Sequence, residues 1–243
     1  MIKTETIHQC HFCDSTNIEK NGTDYKGKQK FHCLDCGKYG TLNPTARYSE
    51  AKKAEILRAY QERSSMRGVK RIFGVTYRTL KRWLLEADQQ QPSLPETLVD
   101  PEPDDVLELD ELWSFVYRKS NKQWVWIVLC RRTRQVVAFY VGDHSDDSCR
   151  RLWEQVPEAY KQCHSYSDFW QAYERVMDAQ THQSVGKETG QTAHVERWNN
   201  TLRQRLARFV RQTLSFSKSE FMHKLVLKLF IIRYNLERRQ AFA

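Results

Sequence analysis

Four cysteines near the start of the 243-residue chain have the spacing of a metal site. They form two C-x2-C knuckles separated by nineteen residues, Cys10 with Cys13 and Cys33 with Cys36. Such spacing lets four thiolates converge tetrahedrally on one Zn²⁺. His11 and His32 are adjacent alternative ligands, and two unrelated cysteine pairs are the structural alternative, but four cysteines are the preferred set. We therefore predict a ribbon of short hairpins held by structural Zn²⁺, because so small a unit buries too little surface without metal.

One acidic residue lies inside a predicted strand. Asp110 is in the middle of the apolar run Glu108–Trp113, an unfavourable place for a charge unless it is paired or binds a metal. Strand alternation puts Glu108 and Asp110 on one face and Glu111 on the other, so Glu111 is the less natural partner. A solvated face of an antiparallel sheet is the structural alternative.

Two further acids stand at positions with common structural roles. Asp168 lies where a short predicted strand gives way to a helix, where an N-cap is the ordinary explanation. Glu196 lies on a predicted helix with Asn200 and Arg203 on the same face, where a surface ion-pair network is the ordinary explanation. If the three carboxylates meet in space, they can bridge two metal ions about 3.5–4 Å apart, as phosphodiester chemistry requires.

Three helices with helix-turn-helix spacing are predicted between Ser49 and Ala87. Ser49 and Thr76 are predicted caps, and Gly74 ends the second helix. The inward residues are predicted to include Ala54, Leu57, Tyr60, Met66, Val69 and Ile72. The third helix leaves four residues outward for DNA contact in the major groove: Arg78, Thr79, Lys81 and Arg82. A helical bundle with a solvated basic face is the alternative.

Four of the six prolines fall between Asp88 and Asp105, beside several acids. Proline favours an extended spacer, so the N-terminal modules are expected to be held apart from the remainder. The predicted domains are a zinc ribbon, a helix-turn-helix, an acidic proline-rich linker and a catalytic domain, at residues 1–46, 47–87, 88–104 and 105–243.

Residues 105–243 are predicted to form an α/β domain with a mixed sheet and flanking helices. Three antiparallel strands open it, because the connections between them are short and polar. The predicted elements in chain order are strands Val106–Val116, Gln123–Arg131 and Gln135–Val141, helix Ser145–Gln155, strand Cys163–Ser167, helix Asp168–Met177, a helix from Thr192 to about Phe209, and a last helix opened by Ser217 and Glu220.

The charge distribution points to a polyanionic partner. The net charge is +9, and residues 1–87 carry 17 Lys and Arg against 9 Asp and Glu, while residues 191–243 carry 11 against 3. A solvated basic surface is the alternative. No apolar run is long enough to span a bilayer, and the start of the sequence lacks the apolar core of a signal peptide. We therefore expect no membrane association and a cytoplasmic, nucleoid-associated location.

The order of these features resembles transposases of the insertion-sequence-one family. The segments that carry the resemblance are Asp110-Glu-Leu-Trp113, Tyr166-Ser-Asp-Phe-Trp170, Glu196-Arg-Trp-Asn-Asn-Thr-Leu-Arg203 and Leu214-Ser-Phe-Ser-Lys218. The resemblance implies a ribonuclease-H-like core with a catalytic DDE set at Asp110, Asp168 and Glu196, two Mg²⁺ or Mn²⁺ ions, and a phosphate-binding Arg203.

The resemblance also implies a reaction and partners. A DNA transposase cuts at transposon ends and joins the freed 3′-hydroxyl to target DNA, so the expected partners are double-stranded terminal inverted repeats and target DNA. Bringing two ends together implies a homodimer or larger assembly. The alternatives are a domesticated DNA-binding regulator and a ribonuclease-H-like nuclease without transposition.

Overall fold

The computed structural model describes residues 7–42 and 48–242. The chain divides into two compact units, Met1–Lys52 and Lys53–Ala243. The domain boundary predicted between residues 46 and 47 lies outside the described residues.

The first unit contains a small antiparallel sheet. Its strands are β1 Ile18–Thr23, β2 Gln29–Cys33 and β3 Tyr39–Thr41, with β2 in the centre. Phe31 of β2 is fully buried. Gly37 follows the second cysteine pair with a φ of 68° and donates its N–H to the Cys33 carbonyl over 2.9 Å. This left-handed turn favours glycine and lets the chain fold back beside the cysteines.

Three helices follow: α1 Glu50–Tyr60, α2 Met66–Phe73 and α3 Tyr77–Gln90. Ser65 caps α2 by accepting from the Gly68 N–H over 3.0 Å, and Thr76 caps α3 by accepting from the Thr79 N–H over 3.2 Å. Gly74 ends α2 in the left-handed conformation, as predicted.

The inward faces of α1 and α2 were predicted only in part. Ile56 and Tyr60, four residues apart, form the buried stripe of α1, whereas Ala54 is exposed. Ile72 is 68% exposed because the two-turn α2 buries only its first half, at Gly68 and Val69. The predictions for Ala54 and Ile72 were therefore wrong.

A five-stranded mixed sheet is the centre of the second unit. The elements of this unit after α3 are β4 Val106–Phe115, β5 Lys122–Cys130, β6 Val136–Gly142, α4 Asp146–Glu154, α5 Glu158–Lys161, β7 His164–Ser167, α6 Gln171–Val176, β8 His182–Ser184, α7 Ala193–Arg205 and α8 Glu220–Arg239. The strand order of the sheet is β6-β5-β4-β7-β8, antiparallel from β6 to β4 and parallel from β4 to β8. Helices pack on it, with α4 against β5 and β6, α7 against β4 and β5, and α8 against β6.

The predicted class, an α/β domain with a mixed sheet and flanking helices, is confirmed. Alternation along β4 sends Leu107 and Leu109 into the apolar core beside Trp126, and Glu108 towards α7. Each fully buried leucine stabilises the fold by about 1.5–3 kcal/mol relative to exposure. The three-residue β8 was not predicted because it is too short to show a hydrophobic pattern.

Three helix ends differ from the sequence-based prediction. Helix α6 begins at Gln171 rather than Asp168, and α7 ends at Arg205, after which a short 3₁₀ turn covers Ala207–Phe209. Ser219, not Ser217, caps α8 by accepting from the Met222 N–H over 3.4 Å. Ser217 instead hydrogen-bonds the Nδ1 atom of buried His223 over 2.7 Å.

The proline-rich segment is packed rather than extended into solvent. It makes a 3₁₀ turn at Pro95–Thr97, where Thr97 is fully buried and Leu98 joins the core. Val99 donates its N–H to the Gln135 side chain over 2.9 Å. This packing differs from the spacer predicted from the prolines, because the apolar residues between them have a surface to bury against.

A buried amide network fastens this segment and α8 to the outer edge of β6. Asn235 accepts from the Val136 N–H over 2.9 Å and donates to the Val136 carbonyl over 2.9 Å and to the Thr97 hydroxyl over 3.1 Å. Gln135 donates to the carbonyls of Thr97 and Asn235 over 2.8 and 3.0 Å. Edge-strand groups that would otherwise be open to another chain are thereby satisfied.

Replacing Asn235 tests this network. Asn235→Ala leaves the N–H and the carbonyl of Val136 buried without the partners that Asn235 supplies, so we expect the free energy of unfolding to fall by about 2–4 kcal/mol. Urea denaturation followed by circular dichroism measures the change. The matched control Asn200→Ala, at an exposed position on α7, is expected to stay within about 0.5 kcal/mol. Equal effects of the two variants would contradict the assigned role.

Candidate active site and metal centre

The pairing of β4 with β7 brings two of the predicted acids together. Glu108 of β4 lies opposite Tyr166 of β7 in the parallel register. Two residues farther along the chain from each lie Asp110, still within β4, and Asp168, directly after β7. Asp168 follows the end of β7 and accepts from the Trp170 N–H over 3.1 Å, in a turn that precedes α6. Because α6 starts only at Gln171, Asp168 is not its N-cap.

Helix α7 brings the third acid to the same place. Its first turn is held by Glu108, whose carboxylate accepts from the N–H groups of His194 and Val195 over 2.8 and 3.1 Å. Glu196 follows one residue later, and its Oε1 accepts from the Thr192 hydroxyl over 3.2 Å. A helix N-terminus binds carboxylates because its N–H groups lack partners within the helix.

Asp110, Asp168 and Glu196 line one open cavity of about 310 Å³, which we call the carboxylate cavity. Its other lining residues include Lys187, Asn199, Asn200, Arg203 and Arg211. The sequence therefore predicted three acids that the fold brings together. Among the described residues, the only side chains that place three or more ligand atoms within 4.8 Å of one another are four cysteines, so the carboxylates surround a wider space.

Asn199 is the residue at this cavity that the sequence did not single out. Its Nδ2 donates to Asp110 Oδ2 over 2.7 Å, whereas the predicted Asn200 is exposed at the rim. The buried Oδ1 of Asn199 has no hydrogen-bond partner among the described residues. Offsets of four and seven from Glu196 favoured Asn200, and only the position of β4 against α7 identifies Asn199.

The protein does not compensate the negative charge of the ionised Asp110 carboxylate. Burial and the charges of Glu111 and Asp168 together raise the pKa of this carboxyl to about 7, although the hydrogen bond from Asn199 lowers it. Carboxylate oxygens with unneutralised charge are the donor set that hard divalent cations take. The residues present therefore fit a divalent metal ion at Asp110.

Glu111 points into a different environment, as strand alternation predicted. Its carboxylate hydrogen-bonds His144 Nε2 over 2.9 Å and accepts from the Tyr173 hydroxyl over 2.8 Å. Burial still raises its pKa. The His144 ring is stacked between Trp124 and Trp170, with centroids 3.9 and 4.0 Å away. Glu111 is thus occupied by protein partners.

Arg203 bonds to the main chain rather than to the carboxylates. Its guanidinium donates to the carbonyls of Trp113 and Phe209 over 3.1 and 3.3 Å. Burial, and then the nearby charge of Arg211, lower the pKa of Arg203. Arg203 nevertheless lines the carboxylate cavity, where the family resemblance implies that it binds a phosphate.

The residues predicted to contact DNA on α3 are not part of this cavity. Arg78 and Arg82 are exposed, while Thr79 and Lys81 are partly buried. The Thr79 hydroxyl is 2.9 Å from that of the capping Thr76, and Arg82 pairs with Glu86 over 3.4 Å.

The four cysteines of the first unit converge. The Sγ atoms of Cys10 and Cys36 are 3.7 Å apart, those of Cys13 and Cys33 are 3.6 Å apart, and all four lie within 4.8 Å of one another. Tetrahedral Zn–S bonds of about 2.3 Å place sulfur atoms about 3.8 Å apart. Hydrogen bonds from the N–H groups of Cys36 and Asp35 outweigh burial and lower the pKa of Cys33 to about 7. The four thiols are positioned to bind one metal ion.

The sheet order and the acids on β4, after β7 and on α7 define the class: a ribonuclease-H-like domain. The family model described as IS1 transposase matches residues 106–236, and the chain belongs to the IS1 transposase family. It is 35% identical over 129 residues to the insertion element iso-IS1n protein InsB of Shigella dysenteriae, covering 53% of this chain and 95% of that protein.

Two other relatives are similar to this chain over about half of its length. The insertion element IS1 protein InsB of Shigella flexneri is 35% identical over 120 residues, 49% of this chain and 88% of its own length. The insertion element IS1 4 protein InsB of Escherichia coli K12 is 33% identical over 120 residues, 49% of this chain and 70% of its own length.

Among the described residues, no helix is long and apolar enough to span a membrane.

Removing one thiol tests the metal centre. Cys33→Ala leaves three ligands, so the purified protein is expected to lose its bound metal, whereas the parent holds about one ion per chain. Elemental mass spectrometry measures both content and identity. Cys163→Ala, which removes a buried thiol outside the four-cysteine group, serves as the control and should keep the ion. Retention of a full equivalent by Cys33→Ala would rule out the four-cysteine site.

The raised pKa of Asp110 predicts a pH-dependent cost of folding. The pKa of Asp110 is about 7 in the folded state against its usual 3.8. The contribution of its protonated form to the free energy of unfolding is therefore fully present below about pH 4 and is lost as the pH rises through 7. In metal-free buffer at pH 8, Asp110→Asn is therefore expected to be more stable than the parent, by on the order of 2–4 kcal/mol.

Thermal unfolding at pH 5.5 and pH 8 checks this. The gap between variant and parent should widen with pH, and Mg²⁺ should raise the parent's Tm but not that of Asp110→Asn. The exposed Asp104→Asn is the control. A parent at least as stable as Asp110→Asn at pH 8 without metal would refute the prediction.

Proposed function

We propose that this protein is a DNA transposase that binds transposon ends, cleaves a strand there and joins the 3′-hydroxyl to target DNA. The observation that carries the proposal is the meeting of Asp110, Asp168 and Glu196, from three separate elements, at one cavity. Membership of the IS1 transposase family supports the reaction class.

The three carboxylates are the proposed ligands of two Mg²⁺ or Mn²⁺ ions. When bound, such ions supply activation of the attacking oxygen and stabilisation of the leaving oxygen in phosphodiester chemistry. The uncompensated charge of Asp110 and the all-oxygen donor set support this assignment. Asn199 orients Asp110 through its 2.7 Å hydrogen bond, and Glu108 fixes the helix that carries Glu196.

Basic side chains at the cavity are proposed to hold the DNA backbone. Lys187 and Arg211 are exposed at the rim, Arg203 is fixed by two carbonyls, and Asn200 offers an amide to a phosphate. Such contacts position a strand without reading its sequence. This is the role we assign to Asn200 and Arg203.

The remaining domains are proposed to deliver DNA to this cavity. We retain a zinc ribbon at residues 1–46, a helix-turn-helix at 47–87, a connecting segment at 88–104 and the catalytic domain at 105–243. The four cysteines would hold Zn²⁺. In the major groove, α3 would present four residues to bases and phosphates, Arg78, Thr79, Lys81 and Arg82.

The substrate also dictates an assembly. Joining two terminal inverted repeats to one target requires two active sites, so we propose a homodimer or a larger homo-oligomer on DNA. The basic segments at both ends of the chain support binding to double-stranded DNA and hence to the nucleoid.

Charge-removing variants test the catalytic set. Asp110→Asn, Asp168→Asn and Glu196→Gln keep the side-chain shape but lose the metal-binding charge. Each is expected to lower Mg²⁺-dependent cleavage and strand transfer of labelled end DNA by at least about 10³-fold while leaving end binding within about threefold of the parent.

The controls are Asp104→Asn and Glu188→Gln, which remove exposed acids outside the cavity and should retain activity. Arg78→Ala should weaken end binding instead. Parental strand transfer by any of the three variants would remove that residue from the set. Cleavage without strand transfer would favour a nuclease, and end binding without either activity would favour a regulator.

A further inference from the structure

A second depression of the same unit, which we call the basic groove, borders the carboxylate cavity. It has a volume of about 720 Å³ and shares Trp113, Arg203 and Arg211 with the carboxylate cavity. It is lined by the turn after β4, residues 117–119, and by the connection between α7 and α8, residues 208–214 and Phe216. The two depressions therefore lie side by side.

The groove is lined by cations and by no acid. The five are Arg118, Lys119, Arg203, Arg208 and Arg211. Arg203 and Arg208 are fixed by hydrogen bonds to the protein. The side chains of Arg118, Lys119 and Arg211 are exposed, and within residues 7–42 and 48–242 they form no hydrogen bond or ion pair. Several like charges around one depression repel one another unless an anion lies between them.

Four aromatic rings line the groove, those of Trp113, Phe115, Tyr117 and Phe216. The Trp113 and Phe115 ring centroids are 5.7 Å apart, and those of Phe115 and Phe216 are 5.3 Å apart, which makes a continuous row. Tyr117 has 70% of its surface exposed. Exposed rings beside unpaired cations are the surface on which bases stack while phosphates meet the charges.

The backbone presents Tyr117 in an unusual conformation. Its φ is 68°, in the left-handed region that a bulky residue rarely adopts. The Tyr117 N–H donates to the Ser217 carbonyl over 2.7 Å, and Val116 and Ser217 form an isolated parallel bridge. These bonds fix the two walls to each other. Gln212 on the opposite wall also has a positive φ, of 56°. Strain of this kind persists where surrounding contacts impose it, and it is concentrated at functional sites.

We infer that the basic groove binds an unpaired DNA strand that leads into the carboxylate cavity, with phosphates at Arg118, Lys119 and Arg211 and a base stacked on Tyr117. The occupant is unpaired because paired bases bury their faces against neighbours and do not offer them to a protein ring. The inference rests on the proposed function, since it names the form of DNA that enters the site.

Binding of two labelled oligonucleotides tests the groove on the full chain. The probes are a mixed-sequence 12-nucleotide single strand and a hairpin duplex of the same sequence, in metal-free buffer without chelator and in the Asp110→Asn background. For the double variant Arg118→Ala/Lys119→Ala, we expect the single-strand Kd to rise about tenfold and the hairpin Kd less than twofold. The slope of log Kd against log salt for the single strand should fall by about 1.4, for two phosphate contacts.

Tyr117 supplies the matched pair for stacking. Tyr117→Ala should raise the single-strand Kd about fivefold or more, while Tyr117→Phe, which keeps the ring and the same backbone demand, should stay within twofold of the parent. The charge control is Arg150→Ala/Lys161→Ala, on α4 and α5, which removes two charges away from the groove. It should change neither Kd by more than twofold.

Two results would overturn the inference. One is equal weakening of single-strand and hairpin binding by the Arg118/Lys119 variant, and the other is equal behaviour of Tyr117→Ala and Tyr117→Phe. Failure of the proposed function is a separate result. It would show as parental cleavage by Asp110→Asn, which these binding measurements do not depend on.

Discussion

The arrangement of the active region depends on one buried carboxylate. Glu108 is fully buried, and it accepts from Arg131 Nε over 2.7 Å, lies 2.6 Å from His194 Nδ1 and takes the first N–H groups of α7. A charge removed from water persists only when it is paired and hydrogen-bonded in this way. Because Glu108 accepts hydrogen bonds from the first N–H groups of α7, these bonds also fix the position of Glu196 relative to β4. Without these bonds, both the buried Glu108 charge and the N–H groups at the start of α7 would lack partners.

Three carboxylates within four residues of β4 have three different environments. Glu108 is neutralised by Arg131 and by a helix end, and Glu111 is hydrogen-bonded to His144 and Tyr173. Asp110, between them in sequence, accepts a hydrogen bond from the Asn199 amide and has two acidic neighbours, and its burial together with the charges of those neighbours raises its pKa to about 7. The strand thus satisfies its flanking acids from within the protein and leaves the middle one to a cation. The same stack that holds His144 reaches Trp170, next to the turn of Asp168.

Helices α1–α3 are tied to α7 and α8 by ion pairs. Glu62, in the turn after α1, pairs with Arg205 of α7 and with Arg233 of α8, and Asp88 of α3 pairs with Lys228 of α8 over 2.8 Å. Helix α7 is therefore held by β4 at its start and by the turn after α1 at its end. Under the proposed function, the helix that offers Glu196 to the metals is also the helix against which the DNA-binding helices are anchored.

The sequence by itself determined what depends on near neighbours. Cysteine spacing predicted the four-thiol cluster, period-two and helical patterns predicted three long strands and most helices, and Ser145 and Thr76 were correctly predicted as caps. A cap or a knuckle is local because its partners lie within a few residues. The three acids that meet at one cavity were also named from sequence, chiefly through the family resemblance.

Only the tertiary structure decided which polar groups are satisfied. It paired Asn199 rather than Asn200 with Asp110, occupied Glu111 with His144 and packed the proline-rich segment against the core. It also assembled the basic groove from residues about 90 positions apart. Compensation of a charge is decided by atoms within a few ångströms, and those atoms come from distant parts of the chain once the sheet order is set.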